Sequence, residues 1–479
     1  MRKILMSALG LTAANLTLRL VSMLFSAYTA RVMGAAGVGV LQLIFTVGGL
    51  AMTLGTAGVR VAATCLVAEE SGMERPAGVR RAVRLALGYG AVTGTAAGAL
   101  LFFLAQTLAR RWVGTAAAAP ALQLFALQLP LNCLWAVLAG YFTASGQVKK
   151  LAAVQIVDRL LSVLITVPLL QLWAAGDLSR CCCAIVGGSG AATLVSLAML
   201  FLLYLRVRPR QKQKPPMLRR LLALCGPLAF NEMARSGLGT LENLLIPRGL
   251  RRSGAGAEAA LADYGALQGM TFPAIMLPCA VLNAVSDLLI PHLSRARAQG
   301  DGTTIRGLTL SGLRLGLYWA VAAAGVLWLT GPQLGELLYH SPAAGRYIRL
   351  FAPVILILYM DAITDGLLKG LIEQVACMRY NTLTSLLDVA CIALLVPRYG
   401  VAGYFFSFVA THALNFLLSI GRLVKVTDCR IPLGGLGRVL LTAAPALLVA
   451  GCIPARWFSL RMLAYLVLFG LPAWRLARR

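Results

Sequence analysis

The stretch 218–250, LRRLLALCGPLAFNEMARSGLGTLENLLIPRGL, decides the fold. It is too long and too apolar for the surface helix of a soluble domain, yet its middle carries Asn231, Glu232, Arg235 and Glu242. A charged side chain at the centre of a bilayer costs about 2.5–3.5 kcal/mol on insertion scales, so such residues face a partner or a cavity. Asn231, Arg235 and Glu242 recur at helical spacing and stack on one face. The stretch reads as a membrane-spanning helix with a polar stripe.

The rest of the chain agrees. Of 479 residues, 59% are hydrophobic and 13% charged, and the mean hydropathy is +0.79, which leaves too little polar surface for a soluble domain. Apolar runs of about 20 residues are twice the length of a barrel strand and exclude an outer-membrane barrel. The opening MRKILMSALGLTAANLTLRL has a basic start and an apolar run that reaches Met33 with no small-residue cleavage site, so a retained first helix is expected. Fourteen spans are predicted, near 4–33, 37–68, 82–108, 119–143, 151–173, 180–205, 218–247, 265–290, 304–332, 347–372, 376–397, 401–424, 436–453 and 457–474. Of the 44 Lys and Arg residues, 27 fall on the termini and alternate loops of one side and 12 on the other. By the positive-inside rule this orients a multi-pass membrane protein with both termini in the cytoplasm. The net charge of +27 then faces anionic lipid heads, and no nucleic acid is expected as a partner. The eleven cysteines read as small packing residues; Cys181, Cys182 and Cys183 are consecutive and point around the helix, a poor geometry for a metal.

The segment 206–217, RVRPRQKQKPPM, is the longest polar break. It divides the chain into an N-lobe of six spans (1–205), a basic cytoplasmic linker (206–217), a C-lobe of six spans (218–426) and two C-terminal helices (427–479). A shift of 216 residues superposes Gly10 on Gly226, Asn15 on Asn231 and Arg19 on Arg235, with Ser26 on Glu242. A second correspondence places Gln147–Val148 on Gln374–Val375. Six spans per lobe keep the orientation, so the lobes read as parallel repeats. The expected fold is an all-α integral membrane protein with about fourteen transmembrane helices.

Two sets of intramembrane residues carry chemistry. Arg19, Arg60 and Arg235, with Asn15 and Asn231 beside them, suit a phosphate-bearing substrate, because a guanidinium group binds phosphate bidentately. The competing structural reading pairs Arg235 with Glu232 and lets Arg60 reach the headgroups. The acids Glu232, Glu242, Asp361, Asp365 and Asp388 lie in the second half, and Asn381, Thr384 and Ser385 share the eleventh span with Asp388. Such oxygens suit a hard cation or a proton carrier; the structural alternative is an Asp365–Lys369 ion pair. Gly34, Gly37 and Gly39 follow no strand and precede no Walker lysine, so they read as a tight turn. His292, His340 and His412 are scattered and the loops are short, so no enzyme is expected and no cofactor beyond a Na⁺ or H⁺ coupling ion.

The run ARVMGAAGVGVLQLIFTVGGLAMTLGTAGVRVAATCLVAEE (30–70) resembles the opening of stage V sporulation protein B-like polysaccharide-export proteins. ENLLIPRGL…YGALQGMTFP (242–273) and LLVPRYGVAGYFFS (394–407) are similar to their seventh-helix ending and their eleventh-to-twelfth connection. These proteins belong to the multidrug/oligosaccharidyl-lipid/polysaccharide (MOP) exporter superfamily, which includes the lipid II flippases. The resemblance implies two six-helix lobes in an inverted V around a cavity that opens to alternate membrane faces. It also implies a headgroup role for Arg19 and a Na⁺ site at Glu242 and Asp388. The expected activity is translocation of a polyprenyl-pyrophosphate-linked envelope glycan by a monomer, in contact with membrane lipids. A multidrug/cation antiporter of the same superfamily is the alternative, and sporulation is a context the resemblance brings with it.

Overall fold

Gly34, in the expected turn, adopts φ 70° and ψ 174° and breaks the helical run Arg2–Thr56 into α1 (2–33) and the first part of α2 (35–56). Only a residue without a Cβ reaches that region cheaply. The second part of α2, Val59–Gly72, starts after Gly58, also left-handed. Gly400, at φ 59° and ψ −135°, likewise divides Gln374–Thr427 into α11 (374–399) and α12 (401–427). The computed structural model describes residues 2–56, 58–73, 76–174, 176–206, 218–429, 433–454 and 457–477; the linker 207–217 lies outside them. The remaining helices are α3 (Pro76–Leu108), α4 (Ala119–Ala144), α5 (Val148–Leu172), α6 (Leu178–Arg206), α7 (Leu218–Arg252), α8 (Ala257–Met276 and Cys279–Ala298), α9 (Gly302–Tyr339), α10 (Pro342–Gly370), α13 (Leu433–Cys452) and α14 (Phe458–Ala477). Among the described residues each of the fourteen predicted spans falls on helix, and no strand occurs.

Among the described residues, eight helical runs are long and apolar enough to cross a membrane, and the bent pair of α8 makes a ninth. Two of the eight, Thr17–Gly72 and Gln374–Thr427, contain the glycine turns and so hold two spans each. α7 has 35 residues, enough length to cross. It falls short on apolarity because Asn231, Glu232, Arg235 and Glu242 interrupt it.

The chain packs as two compact units. The N-unit comprises residues 9–25 and 40–244, and the C-unit comprises residues 1–8, 26–39 and 245–479. The core of the N-unit draws Val59, Leu66, Ala82, Val137, Phe142, Val154, Leu200 and Leu221 from α2 to α7. Tyr141 and Tyr204 meet there edge to face, 5.0 Å apart. In the C-unit, α13 and α14 pack on α9 through Val321, Val439, Ala446, Tyr465 and Phe469, and the Tyr465 hydroxyl donates to the Val321 carbonyl at 2.9 Å. Asp301 caps α9: its carboxylate accepts from the Thr304 amide at 3.0 Å and the Thr303 hydroxyl at 2.6 Å. These bonds favour the charged form and hold its pKa at about 2.

α8 is not the straight span the hydropathy predicts. It contains a π-helical segment, Gly265–Thr271, and its two parts meet at 52° about Leu277–Pro278. A backbone broken inside a membrane must find other partners, and three side chains supply them. Ser26 Oγ donates to the Gly269 carbonyl (2.8 Å), Tyr359 to Ile275 (2.5 Å) and Trp319 Nε1 to Pro278 (2.8 Å). Next to the π segment, the backbones of 35–39 and 261–265 touch. A Cβ on Gly39 would overlap the Leu261 carbonyl, and one on Gly265 the Ala35 carbonyl. Small residues permit that crossing. Gly265→Val is expected to destabilise the protein by about 1–3 kcal/mol or more, read as a lower melting midpoint in detergent, and an unchanged midpoint contradicts the contact.

Candidate functional site

α12 places Ser407, Thr411, Asn415 and Ser419 at four-residue intervals, so all four look from one face. Each meets an acid or its neighbour inside the C-unit. Ser407 Oγ and Thr411 Oγ1 donate to Asp388 Oδ1 of α11 at 2.8 and 3.1 Å. Asn415 Nδ2 donates to Asp361 Oδ2 of α10 at 2.9 Å, while its Oδ1 accepts from Thr384 at 3.4 Å. Ser419 Oγ donates to Asp365 Oδ1 at 3.3 Å. Asp388, Thr384, Ser407, Thr411, Asn415 and Ser419 are all buried. The result is a ladder of three carboxylates held by neutral donors, and Asp361 Oδ1 is buried with no partner at all.

The ladder lies beside an aromatic cluster. Phe351 packs edge to face on Phe405 (5.1 Å) and Phe408 (5.4 Å), Phe272 lies 5.1 Å from Phe408, and His412 stacks on Phe408 at 3.9 Å. The expected Asp365–Lys369 pair does not form: Lys369 is exposed, Asp365 takes Ser419 instead, and no ion pair joins them. The ionic contacts of the C-unit sit at its ends. Glu373 binds Arg422 at 2.8 Å and Arg297 at 3.6 Å, and Arg306 binds Asp428 at 2.8 Å.

The N-unit has the opposite character. Arg19, Arg60 and Arg235 are exposed, and no described acid pairs with them. The alternative Arg235–Glu232 pair is thus not made, although the two stand one turn apart. A fourth arginine joins this set: Arg159 of α5, also exposed, donates from Nε to Ser22 Oγ of α1 at 2.9 Å. Ser22 stands one turn beyond Arg19 on the stripe read from the first span. On α7, Ser236 accepts from Thr53 of α2 at 3.1 Å. The acid adjoining Arg159 turns elsewhere, since Asp158 accepts from Ser196 of α6 at 2.8 Å. The side chains of Asn15 and Asn231 lie outside those described.

Of the predicted site residues, Asp361, Asp365 and Asp388 come together in one network. Glu232 and Glu242 are half-buried on the part of α7 that belongs to the N-unit. No group of three or more His, Cys, Asp or Glu side chains able to hold a metal exists among the described residues. The oxygens around Asp388 are nonetheless hard donors of the kind an alkali cation takes. The sequence reading missed Arg159 and the whole α12 side of the ladder. Its signal was present as a polar residue every fourth position from 407 to 419 in an apolar span.

A chain of apolar helices with a broken span and buried acids held by neutral groups has the design of a membrane transporter. The comparisons with known proteins fit that class. A family model described as polysaccharide biosynthesis protein matches residues 4–297, and the chain belongs to that family. It is 22% identical to stage V sporulation protein B of Bacillus subtilis over 438 residues, 89% of this chain and 85% of the relative. It is 22% identical to sporulation protein YkvU of the same organism over 235 residues, 48% of this chain and 53% of the relative. Among solved structures it superposes on the lipid II flippase MurJ, inward closed conformation, with a TM-score of 0.77, 12% identity and coverage of 98% and 99%. An inward-facing multidrug resistance MATE transporter of the MOP superfamily follows at 0.70, 12% identity and coverage of 86% and 96%. The protein is thus a multi-pass membrane protein with the MOP fold.

Asn415→Leu removes the one donor to Asp361, whose other oxygen already lacks a partner. A loss of about 1–3 kcal/mol is expected, read as a lower melting midpoint in detergent. Adding Asp361→Asn should restore part of it; a double variant as unstable as the single one contradicts the bond.

Proposed function

We propose that the protein translocates a polyprenyl-pyrophosphate-linked cell-envelope glycan from the inner to the outer leaflet by alternating access. The observation that carries this reading is the set of exposed arginines in the N-unit, Arg19, Arg60, Arg159 and Arg235, none paired to a described acid. Guanidinium groups left without carboxylates favour an anionic substrate, and pyrophosphate offers the bidentate geometry they take. Family membership and the likeness to stage V sporulation protein B support an envelope substrate over a generic anion.

The driving ion, Na⁺ or H⁺, is taken up at Asp388 with the Ser407 and Thr411 hydroxyls, and Asp361 and Asp365 serve as further carboxylates along the same ladder. Carboxylates buried among neutral donors bind a cation or a proton more readily than they stay charged and bare. Asn15 and Asn231 are assigned to the headgroup with the arginines, and Glu232 and Glu242 to the coupling ion. The protein acts as a monomer in the bacterial cytoplasmic membrane with both termini in the cytoplasm, an orientation that the basic side of its loops supports. It is a carrier without an enzymatic step.

A multidrug/cation antiporter is the second reading, favoured by the MATE likeness and by the acids of the C-unit. Leaflet accessibility of the lipid-linked precursor, in cells with and without the protein, decides between the two when paired with drug efflux in the same strains. Arg19→Ala is expected to lower precursor translocation about ten-fold or more, from the loss of a charge-assisted contact, with the protein still in the membrane; wild-type translocation removes the headgroup role. Asp388→Asn should leave translocation insensitive to Na⁺ and to pH. An unaltered response to both places the coupling ion elsewhere.

A further inference from the structure

The two ends of the C-unit treat their arginines differently. At the end where α8 meets α9 and α10 meets α11, Arg297 and Arg422 share Glu373 and Arg306 holds Asp428. At the opposite end, the last turn of α7 lies along the turn between α11 and α12. A Cβ on Gly249 would stand 2.8 Å from Val396 Cγ1 and 3.4 Å from Pro397 Cδ, and one on Gly400 3.3 Å from Ser253 Oγ. These contacts bring Arg248, Arg251 and Arg252 of α7 to the same corner as Arg398. Arg252 and Arg398 are exposed, Arg251 Nε is buried with no hydrogen-bond partner, and no described acid pairs with Arg251, Arg252 or Arg398. Acids are near in sequence, yet Asp263 takes the Tyr347 hydroxyl at 2.7 Å and Glu258 remains exposed without an ion pair.

Directly beyond this corner runs an apolar surface. α11 buries Thr384, Asp388, Ile392 and Val396 on one face and exposes Leu383, Leu387 and Leu394 on another. Arg398 follows Leu394 by one turn and Tyr399, 64% exposed, stands beside it. An exposed tyrosine at the boundary between an apolar stripe and a charged tip marks the level of the lipid headgroups. We propose that Arg251, Arg252 and Arg398 form an interfacial site for the phosphate of an anionic lipid whose chains lie along the exposed Leu383–Leu394 side of α11. Charge complementarity and the adjoining apolar stripe select a lipid phosphate over free phosphate, because only a lipid occupies both. Guanidinium groups suit this task through their forked donors, and the site does not depend on which substrate the protein moves.

The test uses the full chain in a neutral detergent and compares retention of phosphatidylglycerol with that of phosphatidylcholine of the same chains, by native mass spectrometry. Wild type is expected to prefer phosphatidylglycerol. Arg252→Gln with Arg398→Gln should cut that preference by about five-fold per arginine while the melting midpoint in detergent holds. Arg252→Lys with Arg398→Lys should keep part of it, since the charge stays and the fork is lost. Equal retention of the two lipids by wild type overturns the site, as does a preference unchanged in the Gln variant. Inorganic pyrophosphate that displaces the lipid at equal concentration assigns the corner to free phosphate and overturns it too. Should the double variant not fold, Arg398→Gln alone gives the same reading. Translocation is not measured, so a failed flippase reading leaves these outcomes intact.

Discussion

A carboxylate inside a membrane helix must be solvated by the protein, and the C-unit is arranged around that demand. Three acids, Asp361, Asp365 and Asp388, come from α10 and α11, where water cannot be relied on to stabilise them. Among the described residues, no arginine or lysine pairs with them. α12 offers Ser407, Thr411, Asn415 and Ser419 in series, one donor per turn. Neutral donors lower the cost of burial without cancelling the charge, so the ladder stays open to a cation or a proton, whereas a salt bridge would close it. The unpartnered Asp361 Oδ1 is where this incomplete solvation is most visible.

The same rule governs the backbone. α8 breaks at Leu277–Pro278 and loosens into a π segment, which frees carbonyls in the middle of a span. Ser26, Trp319 and Tyr359 arrive from three other helices to take the Gly269, Pro278 and Ile275 oxygens. Each of these side chains has an apolar body or a small volume, so it caps a carbonyl without bringing a charge into the membrane. The break is therefore a built feature of the C-unit, fixed by contacts remote in the chain.

That remoteness explains what could and could not be read in advance. Span positions were legible because a membrane helix must be apolar over about 20 residues. The turn at Gly34 was legible because only glycine makes it cheaply, and the one at Gly400 because it falls in the gap between two predicted spans. Asp361, Asp365 and Asp388 stood out as charges in apolar runs. Ser407, Thr411, Asn415 and Ser419 did not, since a hydroxyl or amide in a membrane helix satisfies itself on its own turn at small cost. Only the acids opposite reveal their purpose. The break in α8 escaped for a related reason: proline is tolerated in membrane helices, and Pro278 alone does not distinguish a kink from a 52° bend.

The lobes, expected from Arg19 and Arg235 to be repeats, share one motif when each unit is taken by itself. In both, an acid of one helix is held by hydroxyl groups of the next: Asp158 of α5 by Ser196 of α6, and Asp388 of α11 by Ser407 and Thr411 of α12. The surroundings differ in sign. Beside Asp158 stands Arg159, reaching Ser22 on the arginine stripe of α1, while Asp388 is continued by Asp361 and Asp365 along α12. One unit thereby gathers cations, the sign that suits an anionic ligand, and the other gathers acids, the sign that suits a small cation. An uncharged common frame would give neither substrate selection nor coupling. On the proposed function, this difference of sign is what separates substrate selection in one unit from coupling in the other.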